Sequence, residues 1–272
     1  MMESTSDTKG KRTATETNST PPGGVIGILG GGQLGRMLAI AARRMGYRVH
    51  AFEPQSDCPA GQICDLEINA PYSDSEALKE FARGVDVISF EFENIPRSAI
   101  ETVAALRPVH PRGEVLHICQ NREREKNFLH SQGFPCAPFR VVDSAESLAK
   151  ALREIGTPSV LKTADFGYDG KGQIKLTGEV DANEIWRRFG APRGVLEKWI
   201  PFVAELSVIC ARGVHGEVVP FPVSENQHVN TFLTYRLFQP ASLKRFSKTP
   251  RASLQKSPRP SMSSASSLSN FS

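Results

Sequence analysis

Two glycine-rich segments, each accompanied by charged side chains, carry the chemistry available to this sequence. The first, "VIGILGGGQLGRML" from Val25 to Leu38, reads as a strand, a tight turn and a helix. Within it Gly30-Gly31-Gly32-Gln33-Leu34-Gly35 fits the G-x-G-x-x-G spacing of dinucleotide binders, and Glu53 follows at the separation of a ribose-binding acid. The physics is broader than the motif, because bare glycine amides at a helix N-terminus hold any phosphate. Gly31, Gly32, Gln33 and Leu34 are therefore candidate phosphate ligands, and a nicotinamide dinucleotide is one ligand among several.

The second segment, "LKTADFGYDGKGQ" from Leu161 to Gln173, lies between two strands with no helix after it. It is neither a Walker loop nor a Rossmann turn. Gly167, Gly170 and Gly172 let the backbone aim its N–H groups at an anion, and Lys162 and Lys171 supply compensating charge. Such a loop suits a lid that folds over phosphates. Downstream, "LEKWI" ends a strand with Glu197, Lys198, Trp199 and Ile200. A strand edge of that kind can read an adenine amino group and ring nitrogen through Glu197 and the backbone of Lys198 to Ile200. Glu205 opens the next strand, where it can hold ribose hydroxyls, and "SENQH" places Glu225, Asn226 and His228 at the end of a third.

The elements that must position these groups fall into two sets. From Gly23 to about Pro108 strands and helices alternate: "VIGIL", "RVHAF" and "VDVISFEF" are strands, and "SDSEALKEFAR" is a capped helix. This βαβα order predicts a parallel sheet covered by helices. In the first helix Leu34, Met37, Leu38, Ala41 and Met45 share one face, which is expected to be the buried one. Two helices are expected near Gly113–Cys119 and Asn121–Ser131. Between Arg140 and Val223 short strands dominate, broken by helices near Ser144–Ile155 and Asp181–Phe189, with "RGVHGE" as a hairpin turn. The reading is an α+β domain with a largely antiparallel sheet.

Charge excludes some functions. The net charge of +4 arises in residues 231–272, which hold seven Lys/Arg and no Asp or Glu; the remainder has 26 basic against 29 acidic residues. The globular part thus lacks the basic footprint of a nucleic-acid binder. No apolar run approaches the ~20 residues of a membrane span. Residues 1–24 are polar and expected to be disordered. The five cysteines form no C-x-x-C pair and no metal-ligand spacing, as expected of reduced thiols in the cytoplasm.

Together "GILGGGQLGRML", "FEFENIP", "GYDGKGQ", "EKWIPFVAELSV" and "PVSENQH" resemble the N5-carboxyaminoimidazole ribonucleotide synthetases, ATP-grasp enzymes of purine synthesis, from about Val25 to Asn230. The resemblance implies an α/β fold, with a Rossmann-like parallel-sheet pre-ATP-grasp domain (25–110) before an incomplete α+β ATP-grasp domain (111–230). It implies ATP-driven carboxylation of aminoimidazole ribonucleotide by bicarbonate through carboxyphosphate, with Mg bridging the phosphates, in a cytoplasmic homodimer with no nucleic-acid or membrane partner. Position by position, it implies ATP contacts at Arg122, Lys162, Gly167, Tyr168, Asp169, Gly170, Lys171, Gly172, Gln173, Glu197, Lys198, Trp199, Ile200, Glu205 and His228. Tyr168, Asp169 and Lys171 would handle bicarbonate and the substrate amine. Gly31, Gly32, Gln33, Leu34 and Glu91 would receive the ribonucleotide, with Glu53 lining its pocket. The alternatives are another ATP-grasp ligase, which "FEFENIP" argues against, a non-catalytic nucleotide-binding module, and a nicotinamide oxidoreductase.

Residues 231–272 depart from the family pattern and read as a disordered basic Ser/Pro-rich tail. Codons compatible with "NTFLTYRLFQP", read from each third base, spell H-I-L-D-I-S-I-V-P-A, which resembles the family's continuation after "SENQH". The expectation is an out-of-frame translation from about Asn230. The family's metal-binding half would then be missing, with little synthetase activity in this chain.

Overall fold

A computed structural model describes residues 19–165, 172–229 and 232–238. Its first half runs β1 (Val25–Leu29), α1 (Gln33–Arg44), β2 (Arg48–Phe52), β3 (Leu66–Ile68), α2 (Ser75–Arg83), β4 (Val87–Phe90), α3 (Arg97–Ala104), α4 (Gly113–Cys119) and α5 (Arg122–Ser131). The first four strands form a parallel sheet in the order β3-β2-β1-β4. Strand alternation divides the core. Leu29, Phe52 and Ile88 pack with Leu78 and Phe81 of α2 and Val103 of α3, whereas Ile28 and Val49 pack with Ala39 and Ala42 of α1. A Cβ on Gly27 would stand 2.7 Å from Phe81 Cζ, so a glycine in mid-strand is what admits the ring. Asp74 starts α2 by accepting the amides of Glu76 and Ala77.

The chain leaves β1 toward β2 on one side and returns to β4 on the other. That makes the carboxyl ends of β1 and β4 a topological switch point, where open α/β sheets bind ligands. Gly30–Gly32 follow β1, Glu53 follows β2 and Glu91 follows β4, so the topology gathers them.

The face of α1 expected to be buried is instead outward. Leu34, Met37 and Met45 are 63%, 64% and 61% exposed, while Gly35, Ala39 and Ala42 are buried. Large apolar residues marked a face at the right period, but small ones let a helix approach the sheet closely, and the helix seats itself on those.

The second half contains β5 (Phe139–Val142), α6 (Ala145–Ile155), β6 (Ser159–Thr163), β7 (Gln173–Leu176), α7 (Ala182–Phe189) and β8 (Gly194–Lys198), then β9 (Glu205–Ser207), β10 (Cys210–Arg212), β11 (Val218–Pro220), β12 (Ser224–Val229) and β13 (Phe232–Phe238). An antiparallel sheet has the order β5-β8-β6-β7, a second the order β13-β12-β9, and β10-β11 is a hairpin. Residues opposite one another in an antiparallel pair share a face. Leu161 faces Leu196 and Ile174 in register, and these side chains meet α6 and α7 in an apolar core. The opposite face carries Val160, Lys162, Gln173, Lys175, Val195 and Glu197 by the same alternation.

Three elements differ from the sequence reading. β3 and α3 were not anticipated. β13 extends ordered backbone to Phe238, past residue 230, where the folded part was expected to end. "FLTYRLF" has three aromatic residues and a threonine, types that favour strands, and it finds a partner for its backbone in β12. Among the described residues no helix is long and apolar enough to cross a membrane.

Candidate phosphate and nucleotide sites

The glycine turn before α1 already holds two carboxylates. Gly31 N donates to Glu53 Oε2 at 2.8 Å, Gly32 N to Glu91 Oε1 at 2.7 Å, and Gly35 N to Glu91 Oε2. Negative oxygens at a helix N-terminus are stabilised by its dipole, which accounts for the arrangement. It divides the predicted phosphate ligands. The amides of Gly31 and Gly32 are spoken for, while those of Gln33 and Leu34 have no hydrogen bond among the described residues. The turn itself has no room for side chains: a Cβ on Gly31 would lie 2.2 Å from Cys58 Sγ.

Beside the turn is a cavity of about 170 Å³ lined by Gly31, Gly32, Glu53, Gln55, Cys58 and Glu91. Full ligand pockets run to roughly 300–1,000 Å³, so this one suits a single ring or phosphoryl group rather than a dinucleotide. Burial, with Glu67 alongside, pushes the Cys58 thiol up to about 11, so it lines the cavity as a neutral thiol.

The second site lies on the polar face of the β5-β8-β6-β7 sheet. Lys162 and Glu197 are diagonal neighbours there, with Lys162 Nζ 3.4 Å from Glu197 Oε2. Lys126 reaches the same oxygen from α5, at 3.1 Å. All three residues are buried, and Glu197 Oε1 is buried without a hydrogen-bond partner among the described residues. An unsatisfied buried carboxylate oxygen is costly, and in a native protein it marks a place for a donor. Burial lowers the pKa of Lys162, with Arg122 and Lys126 adding to the fall and Glu197 opposing it.

The glycine loop is fastened at both ends beside this face. Thr163 N donates to Gly172 O at 2.8 Å, and Gly172 has φ +71° with Thr163 packed where a Cβ would go. Asn121 Nδ2 donates to Asp165 Oδ1 at 2.7 Å, and Arg122 N to Ala164 O at 2.8 Å. Arg122, the first residue of α5, is thereby held at the loop's stem. Gly167, Tyr168, Asp169, Gly170 and Lys171 lie outside the described residues, as does the side chain of His228.

At the strand edge, Lys198 N donates to Pro138 O and Trp199 N to Pro158 O. Of these amides only that of Ile200 has no partner among the described residues. The Lys198 side chain turns away from Glu197 and donates to Thr157 O, while Lys175 Nζ stands 3.9 Å above the Trp199 ring. Glu205 pairs with Asn226 across β9 and β12, and Asn226 Nδ2 donates to it at 2.8 Å.

Sequence reasoning missed Lys126 and Glu125. Their signal was helical spacing from Arg122, three and four residues on, which turns all three toward one side of α5. Burial raises the pKa of Glu125, with Arg122 and Lys126 lowering it in part. A raised folded-state pKa contributes stability below the unfolded value, and that stability is lost as pH rises through the folded one. Glu125→Gln is therefore expected to be at least as stable as the parent at about pH 7, with the difference shrinking on acidification toward about pH 4. Urea midpoints across that range measure it, and a parent that gains stability on the same rise in pH relative to the variant contradicts it.

Family models match both halves: a ribonucleotide synthetase preATP-grasp domain over residues 24–120 and an ATP-grasp domain over 127–255. The chain is 43% identical to N5-carboxyaminoimidazole ribonucleotide synthase of Bacillus subtilis over 212 residues, 78% of this chain and 56% of that protein. It belongs to the N5-carboxyaminoimidazole ribonucleotide synthetase family. The synthase of Brucella melitensis is 44% identical over 80% of this chain and 61% of its own length. The Staphylococcus aureus synthetase complexed with ADP superposes with a TM-score of 0.81 at 34% identity, covering 89% of this chain and 64% of that one. An Aspergillus clavatus synthase in complex with ADP and aminoimidazole ribonucleotide gives 0.69 at 28% identity, covering 77% and 55%. This synthetase-family chain thus spans about 56–64% of the length of these bacterial relatives.

Proposed function

We propose that the chain carries the ribonucleotide- and ATP-binding parts of an N5-carboxyaminoimidazole ribonucleotide synthetase. The observation that carries the reading is the buried Lys162–Glu197–Lys126 group, in which phosphate-seeking ammonium and an oxygen lacking a donor stand side by side. Adenine offers that donor in its exocyclic amine, and ATP offers the phosphates. Arg122, Lys162, Gly167 to Gln173, Glu197 to Ile200, Glu205 and His228 hold ATP in this proposal. Gly31 to Leu34 and Glu91 hold the ribonucleotide, its phosphate on the Gln33 and Leu34 amides.

In a complete synthetase, bicarbonate oxygen attacks the γ-phosphorus and ADP leaves; residues 1–272 alone, spanning about 56–64% of the relatives' length, are proposed to have little of that activity. The carboxyphosphate breaks its C–O bond to give CO₂ and phosphate. The ribonucleotide amine adds to CO₂ and loses a proton, forming the carbamate. Tyr168, Asp169 and Lys171 are assigned to bicarbonate and the amine, and the carboxyphosphate intermediate must be kept from water. Among the described residues no cluster of carboxylates, histidines or cysteines could hold a metal ion, so no step is assigned to magnesium. The chain is proposed to work in the cytoplasm as a homodimer.

The carboxylates already seated on the Gly31, Gly32 and Gly35 amides, and the small cavity beside them, weigh against a dinucleotide pyrophosphate crossing this turn. Thermal denaturation of residues 1–272 separates the readings. At 100-fold excess over Kd a ligand adds about 2.7 kcal/mol, several degrees in Tm. ATP with magnesium is expected to produce that rise and NADH none. The reverse pattern would establish the oxidoreductase reading.

A further inference from the structure

One oxygen of Glu197 is shared by two ammonium groups, and the other has no hydrogen-bond partner among the described residues. A solitary Lys162–Glu197 pair would be neutral, and its carboxylate would cancel the charge a phosphate requires. Lys126 brings a second cation to the same oxygen, so Glu197 stays countered when Lys162 faces a phosphate. Lys126 comes from α5, which crosses β8 on the polar face, whereas Lys162 lies in the sheet beside Glu197. Two cations converging on Oε2 from separate elements fix the rotation of the carboxylate. Oε1 is then held apart from both ammonium groups, buried and open to an incoming donor.

We propose that Lys126 is a positioning residue of the nucleotide site: it anchors Glu197 so that Oε1 accepts the exocyclic amine of adenine while Lys162 keeps its charge for phosphate. This rests on the reading above that Glu197 faces adenine. Lys126 itself touches Glu197 and contributes to base selection through it. Without Lys126, Glu197 turns toward Lys162, so the amine acceptor is lost and the phosphate charge is partly countered.

The test is calorimetric binding of ATP and of inosine triphosphate, whose 6-oxo group presents an acceptor where adenine presents a donor. Residues 1–272 are compared with Lys126→Met, Lys126→Arg, Glu197→Gln and the Lys126→Met/Glu197→Gln double variant. The parent is expected to prefer ATP. Lys126→Met is expected to lose about tenfold in ATP affinity and most of that preference, because the acceptor is no longer aimed. Lys126→Arg restores the preference, and Lys126→Met adds less than about twofold to Glu197→Gln, as expected for residues acting through one contact. A Lys126→Met protein that weakens both nucleotides equally, with the preference intact, overturns the proposal and leaves the adenine reading standing. A parent that binds ATP and inosine triphosphate alike overturns both. If Lys126→Met does not fold, the double variant decides against Glu197→Gln, since neither leaves a buried carboxylate unpaired; a further tenfold loss of ATP affinity there overturns the proposal.

Discussion

Glu197→Ala is expected to destabilise the fold by about 3–5 kcal/mol, because it leaves the buried ammonium groups of Lys126 and Lys162 without their shared counter-ion. Urea denaturation at neutral pH reads the effect as a lower midpoint. The pH dependence distinguishes this cause from lost packing. Burial already depresses the pKa of Lys162, and Glu197 opposes that fall, so removing the carboxylate depresses it further. Between the depressed folded value and the unfolded one, the unfolded chain binds more protons, and stability rises with pH. The deficit of Glu197→Ala should therefore shrink on the alkaline side. A deficit that does not change with pH would mean that packing, rather than charge, is what Glu197 contributes.

Lys162→Met is expected to weaken ATP binding by about 2–5 kcal/mol, some 30-fold or more, with the fold retained. Stability survives because Lys126 remains 3.1 Å from Glu197, so no buried charge is stranded. Binding suffers because methionine preserves the apolar stem but removes the cation beside the glycine loop. Calorimetry with ATP and magnesium measures the loss, and circular dichroism the retained fold. An unchanged affinity would remove Lys162 from the phosphate site. A variant that fails to fold would show that Lys126 cannot hold Glu197 alone.

Much of this architecture was legible because local rules agreed with one another. Asp74, Asn121, Ser144 and Asp181 each cap a helix near the position read from sequence, since a short polar side chain before an apolar repeat has one good use. Lys162 and Glu197 were both named as site residues, one beside a glycine loop and one at a strand end. What could not be read was that they share a face and an ion pair, which depends on antiparallel register between strands more than thirty residues apart. Lys126 was invisible for the same reason: helical spacing links it to Arg122, but only packing brings α5 over β8. The exposed face of α1 shows the converse failure, in which a correct period was assigned to the wrong side.

Residue order alone established two phosphate-seeking glycine segments, an alternating α/β region followed by a strand-rich one, and the family to which they belong. Those properties rest on neighbours in the chain, where backbone freedom, capping and periodicity act over a few residues. Tertiary structure alone decided that carboxylates sit on the first segment's amides, and that a single buried oxygen is held by lysines from a helix and a strand. Both are distant contacts, set by how the sheets pair and what packs across them, and a linear reading contains no distance of that kind.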